Sequence, residues 1–73
     1  MKKYSEGTKI EWDWGNGTAT GKVKEAFTER VERTIDGNKV VRKADEDDPA
    51  YLIDVDDNEN DALKSHSELR KVN

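Results

Sequence analysis

The sequence predicts a small all-β fold, a barrel of five to six strands. Two observations lead to this prediction: apolar and charged residues alternate along short runs, and turn-forming residues recur at intervals of roughly ten positions. A third is that apolar residues nowhere keep a helical spacing over several turns. Closing a short sheet into a barrel also removes unpaired strand edges, which otherwise invite aggregation.

The composition predicts a thin hydrophobic core in one small domain. Only 32% of the 73 residues are hydrophobic and 41% are charged. The 13 basic residues nearly balance the 17 acidic ones, and the apolar residues follow an ordered pattern, so we expect a folded chain rather than a disordered one. We expect residues 8–73 to form a single domain and residues 1–7 to be a flexible N-terminus.

The first predicted strand covers residues 9–14, which read KIEWDW. Their strict alternation places Ile10, Trp12 and Trp14 on one face and the charged residues on the other. Gly15-Asn16-Gly17 follows and supplies the positive φ angles of a tight turn.

The second predicted strand covers residues 18–27. Every second residue from Ala19 to Val23 shares one face, and the apolar phase then slips so that Ala26 and Phe27 are adjacent. Such a slip of one residue indicates a β-bulge, which helps a short sheet to curl.

A β-hairpin is predicted over residues 31–44, where two β-rich runs flank Asp36-Gly37-Asn38. Asp-Gly between two such runs is among the strongest hairpin indications. A helix over residues 22–33 is the alternative for part of this region, because its apolar residues weakly fit a helical spacing. The nearby threonines and the Asp-Gly turn favour strands.

The last third of the chain is predicted to alternate acidic loops with short strands. The predicted order is a loop over residues 45–49, a strand over 51–55, a loop over 56–61, a strand over 62–64, a turn over 65–67 and a closing segment over 68–72.

Several motifs occur in the order seen in one known family. The most specific are Asp47-Asp48-Pro49-Ala50-Tyr51 and the stretch from Ala62 to Leu69. Through them the chain resembles the hypervirulence-associated protein TUDOR domains, a family of small bacterial and fungal proteins, from about Thr8 to Val72. The resemblance implies an SH3-like, Tudor-type barrel that is not an enzyme.

The residue types needed for catalysis are scarce. The chain has one histidine and no cysteine, and His66 stands between Ser65 and Ser67. Residues adjacent in sequence rarely form a nucleophile–base pair, so we interpret His66 as a turn residue with local hydrogen bonds. We therefore expect no enzymatic activity and no cofactor.

A calcium loop is the metal site that the sequence most nearly matches. Asp54-x-Asp56-x-Asn58 has oxygen ligands at alternate positions. However, Glu59 stands where such a loop requires glycine, and Ser65 stands where it requires a bidentate glutamate. We interpret the segment as a solvated acidic loop and expect no metal.

Three aromatic residues are candidates for a ligand groove: Trp14, Tyr51 and Trp12. A cage of aromatic rings can hold a cationic side chain by cation–π attraction. A small barrel also needs bulky side chains in its core, and Trp12 and Tyr51 lie on the inward-facing phase of their strands. Trp14, at a strand end, is expected to reach a surface groove.

The charge distribution points to a cationic partner. Residues 1–44 hold 10 basic and 7 acidic side chains, net +3, whereas residues 45–73 hold 3 basic and 10 acidic ones, net −7. Asp47, Asp48, Asp56 and Asp57 are candidates for an acidic rim around the groove. We expect an interaction module that binds a basic or extended segment of a protein.

Binding to nucleic acid is the alternative function. It would use the basic residues of the middle strands, although glutamates interleave with them: Lys22, Lys24, Arg30, Arg33, Lys39, Arg42 and Lys43. The sequence shows neither a secretory signal nor an apolar run long enough to span a membrane, so we expect a cytoplasmic protein. We accordingly interpret the glycosylation-like Asn16-Gly17-Thr18 as a turn.

Overall fold

A computed structural model describes residues 3–72, and within them the fold consists of strands and one short 3-10 helix. The prediction of a small all-β Tudor-type fold is confirmed, and the alternative of a helix over residues 22–33 is wrong. Seven strands are seen, more than the five to six expected, because the closing segment adds a two-residue strand. They are β1 (Lys9–Trp14), β2 (Gly17–Phe27), β3 (Val31–Ile35), β4 (Asn38–Arg42), β5 (Ala50–Val55), β6 (Ala62–Ser65) and β7 (Arg70–Lys71), with the 3-10 helix at His66–Glu68.

The strands form two antiparallel sheets. The larger sheet has the order β6-β5-β2-β1-β7, and the smaller one is the hairpin of β3 and β4. β2 is the longest strand and lies at the centre of the larger sheet, paired with β1 on one side and β5 on the other. No helix among residues 3–72 is long and apolar enough to cross a bilayer.

The predicted bulge in β2 is confirmed. The register of β2 against β5 shifts between Val23 and Glu25, so Lys24 is the extra residue. Before the shift Val23 lies opposite Ile53, and after it Phe27 lies opposite Ala50. The bulge bends the strand, and its two halves contribute to different hydrophobic clusters.

The hairpin of β3 and β4 is confirmed as well. Asp36 and Gly37 connect the two strands, and their φ angles are +50° and +76°. Two consecutive positive φ values are typical of a type I′ turn, whose twist matches that of antiparallel strands. The Asn38 side-chain amide donates a hydrogen bond to the Asp36 carbonyl oxygen at 3.2 Å.

The apolar residues form two clusters. The first lies on the inner face of the larger sheet and contains Ile10, Trp12, Val23, Tyr51, Ile53 and Leu69. The second joins the small hairpin to the other side of β5 and β6 and contains Val31, Ala50 and Leu63, with Phe27, Ile35, Val40 and Ala44 packed against them. Strand alternation explains this division, because successive residues of β5 and β6 face opposite sides.

Tyr4 and Gly7, which precede β1, contact the 3-10 helix and the larger sheet. The Tyr4 ring stacks on His66 with ring centroids 4.4 Å apart, and the Gly7 N–H donates to the Val23 carbonyl at 2.8 Å. Met1, Lys2 and Asn73 lie outside the described residues. The mobility of residues 1–7 and the extent of the domain over residues 8–73 stay predictions.

Candidate ligand-binding groove

An open groove of about 540 Å³ lies at one end of the inner face of the larger sheet. Four strands contribute to it, together with the loop between β5 and β6. The groove is lined by Trp12, Trp14, Thr18, Ala19, Thr20, Val55, Asp57, Asn58, Asn60, Asp61, Ala62 and Lys64. We call this surface the Trp14 groove.

Strand pairing explains why the groove is open. Trp14 lies opposite Gly17, which has no side chain to cover the indole. Trp12 lies opposite Ala19 and is almost fully buried, with 4% of its surface exposed, whereas Trp14 is 66% exposed. Trp14 is thus exposed beside the groove, while Trp12 belongs mainly to the core.

Small or short side chains form the floor of the groove. Ala19, Val55 and Ala62 are partly buried and pack against the first hydrophobic cluster. All three residues also line the groove, next to the large core residues of the first cluster. The result is a concave apolar floor beneath the exposed indole.

The loop between β5 and β6 forms the polar rim of the groove. Thr20 holds this loop, because its hydroxyl donates to the Asp56 carboxylate at 2.8 Å and its carbonyl accepts the Asp56 N–H at 3.0 Å. Within the loop the Asn58 side-chain oxygen accepts the Asn60 N–H at 2.9 Å. These bonds fix the backbone that places Asp57 and Asp61 at the groove.

Two lysines neighbour the groove, and both are paired with carboxylates. Lys24, the bulge residue, donates to Asp61 Oδ2 at 3.0 Å, and this bond raises the pKa of the lysine above its ordinary value. Lys64 Nζ lies 3.8 Å from a carboxylate oxygen of Glu68. Both pairs are partly exposed, so each contributes little to stability and can exchange partners.

An ion pair secures the strand end that holds Trp14. The Arg70 guanidinium binds both carboxylate oxygens of Asp13, at 3.0 and 3.2 Å, and so connects β7 to β1. Its hydrogen bonds and positive charge lower the pKa of the Asp13 carboxyl below the usual value. Asp13 precedes Trp14 in β1, so the two side chains face opposite sides of the strand. Because the Asp13 charge is also paired with Arg70, it adds little attraction for a ligand in the groove.

Tyr51 lies outside the Trp14 groove. Its side chain is fully buried, and its hydroxyl contacts Tyr4 and His66 near the start of β5. Burial raises the pKa of this phenol above its ordinary value. Of the three aromatic residues predicted to line a groove, the structure thus brings Trp12 and Trp14 together and places Tyr51 in the core.

The acidic residues predicted as one rim lie at two ends of β5. Asp47 and Asp48 precede the strand and Asp56 and Asp57 follow it, and the strand's length is about 17 Å at roughly 3.3 Å per residue. Asp48 also has a structural role, because its carboxylate accepts the N–H of Ser67 at 3.0 Å and its hydroxyl at 3.3 Å. Only Asp57 of these four lines the groove.

Most of the basic residues in the middle of the chain are paired with carboxylates. Five of the seven named above lie within salt-bridge distance of one, and the pairs are Lys24–Asp61, Arg30–Glu32, Arg33–Glu25, Lys39–Glu32 and Arg42–Glu68. A smaller concavity of about 390 Å³ lies beside residues 26–33. There the Arg33 guanidinium already covers the Phe27 ring, 4.8 Å from its centroid.

Sequence reasoning missed part of the groove and all of the Tyr4 contact. Only the pairing of β2 with β5 shows that Ala19 and Val55 adjoin Trp14. Asp61 and Asn60 carried no motif, and Asn58 was noted only as part of the calcium-loop-like pattern. The pairing of His66 with Tyr51 likewise has no sequence signature. Within residues 3–72 no three or more His, Asp or Glu side chains are grouped as a metal site would require.

Comparison with known proteins gives one match. A family model described as "Hypervirulence associated proteins TUDOR domain" matches residues 7–69, nearly the whole chain. Neither the search of curated proteins nor the search of solved structures returned a match.

Proposed function

Because the chain belongs to the hypervirulence-associated protein TUDOR domain family, whose fold implies a small binding module, we propose that it binds a basic, extended segment of another protein in the Trp14 groove. The observation on which this proposal rests is the exposed Trp14 indole above an apolar floor, with Asp57 and Asp61 at the rim. No chemical transformation of the partner is part of the proposal.

The exposed indole is the main source of binding energy in this proposal. Trp14 and Val41 are the exposed large hydrophobic residues among those described, and the chain has few apolar residues to spare. Tryptophan offers a large, rigid contact area and is enriched at the centre of binding surfaces. An indole left 66% exposed beside a concave surface is therefore better explained by a partner than by packing.

The rim charges favour a cationic partner. Asp57 and Asp61 both line the groove, and the neighbouring Asp56 and Glu59 extend the same acidic loop. Residues 45–73 have 10 acidic and 3 basic side chains, net −7. A field of this sign attracts a basic segment at long range and raises its association rate at low salt.

The shape of the groove favours an extended segment over a compact ligand. Its volume of about 540 Å³ is within the range of ligand sites, yet the groove crosses several strands and is open to solvent. An extended chain can lay successive side chains along such a surface, whereas a small molecule would leave much of it uncovered.

The proposal is tested with a short peptide rich in lysine and arginine, titrated against the protein while the two tryptophan indole N–H resonances are followed by NMR. We expect the Trp14 resonance to shift and the affinity to fall as salt increases. Trp14→Ala should abolish binding, whereas Val41→Ala, at the other exposed hydrophobic residue, should leave it unchanged.

Two outcomes contradict the proposal. One is the absence of any shift with the basic peptide at low salt. The other is tight binding of single- or double-stranded DNA or RNA through the basic middle strands with no effect of Trp14→Ala, which would favour the nucleic-acid alternative.

A further inference from the structure

We infer that the Trp14 groove selects an unmodified arginine side chain, and that it discriminates against quaternary ammonium groups such as trimethyl-lysine. This inference deepens the proposed function and rests on it. It follows from three features of the structure: the number of exposed aromatic rings, the free hydrogen-bond acceptors at the rim, and an arginine site that the chain forms with its own residues.

The groove contains too few aromatic faces for a cage. Of the five aromatic residues in the chain, only Trp14 presents an open ring there, since Trp12 is 4% exposed. Tyr4 and Tyr51 contact His66 elsewhere, and Phe27 belongs to the second cluster. A quaternary ammonium has no N–H groups and depends on several aromatic faces for its binding energy. One indole provides a single wall.

The rim provides hydrogen-bond acceptors that a quaternary ammonium cannot use. Within residues 3–72 the Asp57 carboxylate makes no hydrogen bond or ion pair, and Asp61 uses only Oδ2, which binds Lys24. A guanidinium has five N–H donors in a planar fork and binds carboxylates with two parallel bonds. A trimethylated lysine would enclose these carboxylates without satisfying them, which costs binding energy.

A planar guanidinium also fits against a single aromatic ring better than a compact ammonium group does. The guanidinium stacks flat on an indole and is more weakly hydrated than an ammonium group, so it loses less solvation in the groove. Its edge remains free to bind a carboxylate while its face lies on the ring. Unmodified lysine can form the ion pair but not this combined contact.

The protein places one of its own arginines beside an aromatic face and a carboxylate, with the carboxylate at ion-pair rather than hydrogen-bond distance. Arg33 lies over the Phe27 ring at 4.8 Å, and one of its guanidinium nitrogens is 3.9 Å from a Glu25 carboxylate oxygen. On the Phe27 side of the protein, a partly exposed arginine is therefore held between one aromatic face and one carboxylate. The Trp14 groove offers the same two partners without an internal arginine.

The test uses three capped pentapeptides that differ only at a central arginine, lysine or trimethyl-lysine flanked by glycines. Each is titrated against the full chain, with the Trp14 indole resonance as the readout. We expect the arginine peptide to bind about tenfold more tightly than the trimethyl-lysine peptide, because the latter forms no charged hydrogen bonds. The lysine peptide should be intermediate.

Two variants with a matched control examine the contribution of the rim. Asp57→Asn should weaken the arginine peptide several-fold and leave the trimethyl-lysine peptide less affected. Asp47→Asn removes the same charge at the other end of β5 and should have little effect. Lys24→Met, which frees Asp61 from its ion pair, should strengthen arginine binding.

The outcomes separate this inference from the proposed function. Tighter binding of trimethyl-lysine than of arginine, or equal arginine binding by Asp57→Asn and Asp47→Asn, overturns the arginine inference and leaves a cation-binding groove. If neither the basic peptide nor any of the three pentapeptides shifts the Trp14 resonance, the arginine inference and the proposed function are both overturned.

Discussion

The phenolic oxygen of Tyr51 lies 2.7 Å from Nδ1 of His66 and accepts the backbone N–H of Tyr4 at 3.0 Å. The hydroxyl therefore has two hydrogen-bond partners, one in the N-terminal segment and one on the imidazole ring. This one buried hydroxyl connects β5, the 3-10 helix and the N-terminal segment.

Tyr51→Phe should destabilise the fold by about 1–3 kcal/mol, because it leaves the Tyr4 N–H and His66 Nδ1 without their partner. The measurement is urea unfolding followed by tryptophan fluorescence. Tyr4→Phe is the control, since no hydrogen bond of the Tyr4 hydroxyl is seen within residues 3–72 and its ring would still stack on His66. Equal loss in the two variants would show that the hydrogen bonds of the Tyr51 hydroxyl add no stability beyond that of an unbonded hydroxyl.

Alkaline pH should weaken the wild-type protein through the same hydroxyl. Burial raises the pKa of Tyr51 above its ordinary value of 10.0, so the folded state holds this proton more tightly than the unfolded state. The corresponding stability is fully present below pH 10.0 and is lost as the pH rises through the folded-state pKa.

Thermal melts between neutral and strongly alkaline pH give the comparison. The stability difference between wild type and Tyr51→Phe should narrow above the ordinary tyrosine pKa, whereas lysine titration affects both proteins alike. If the stability difference between wild type and Tyr51→Phe stays constant with pH, ionisation of the Tyr51 hydroxyl does not weaken the fold and the prediction is wrong.

Gly21→Ala should cost about 1–3 kcal/mol, because the new Cβ would lie 2.6 Å from the Asp54 carbonyl oxygen and 2.7 Å from Ile53 Cγ2. The backbone of β5 cannot move away without disturbing its pairing with β2. Gly17→Ala is the matched control in the same strand, because its Cβ would have no atom within 4 Å, and its effect should stay within about 0.5 kcal/mol. Denaturant unfolding of the two variants under the same conditions decides between these expectations.

Asp48→Ala should destabilise the chain by about 1 kcal/mol, since Ser67 loses the acceptor of both its N–H and its hydroxyl. Asp47→Ala removes an adjacent, exposed carboxylate that makes no such contact and should change stability by less than about 0.5 kcal/mol. Thermal unfolding at neutral pH measures both. Similar melting temperatures for the two variants would mean that the hydrogen bonds from Ser67 to Asp48 add no stability, and that only the removal of a negative charge matters.

Much of the local structure could be predicted because it depends on neighbouring residues. The alternation of Ile10, Trp12 and Trp14 defined the faces of β1, and the Asp36-Gly37 pair defined a turn that requires positive φ. The phase slip near Lys24 likewise indicated a bulge before its partner strand was known. Even the exposure of Trp14 followed from its place at a strand end beside glycines.

The composition of the site depended on pairing between distant segments, which the alternation of one strand does not encode. The register of β2 with β5, whose paired residues are 23 to 34 positions apart in the chain, places Val55 and the Asp57–Asp61 loop beside Trp14 and leaves Tyr51 in the core, away from the groove. The length of β5 itself separates Asp48 from Asp57. The sequence by itself therefore determined which residues face inward and where the chain turns, because these are local steric properties. Only the tertiary structure decided which inward-facing residues share a groove, because that depends on hydrogen-bond register between strands far apart in the chain.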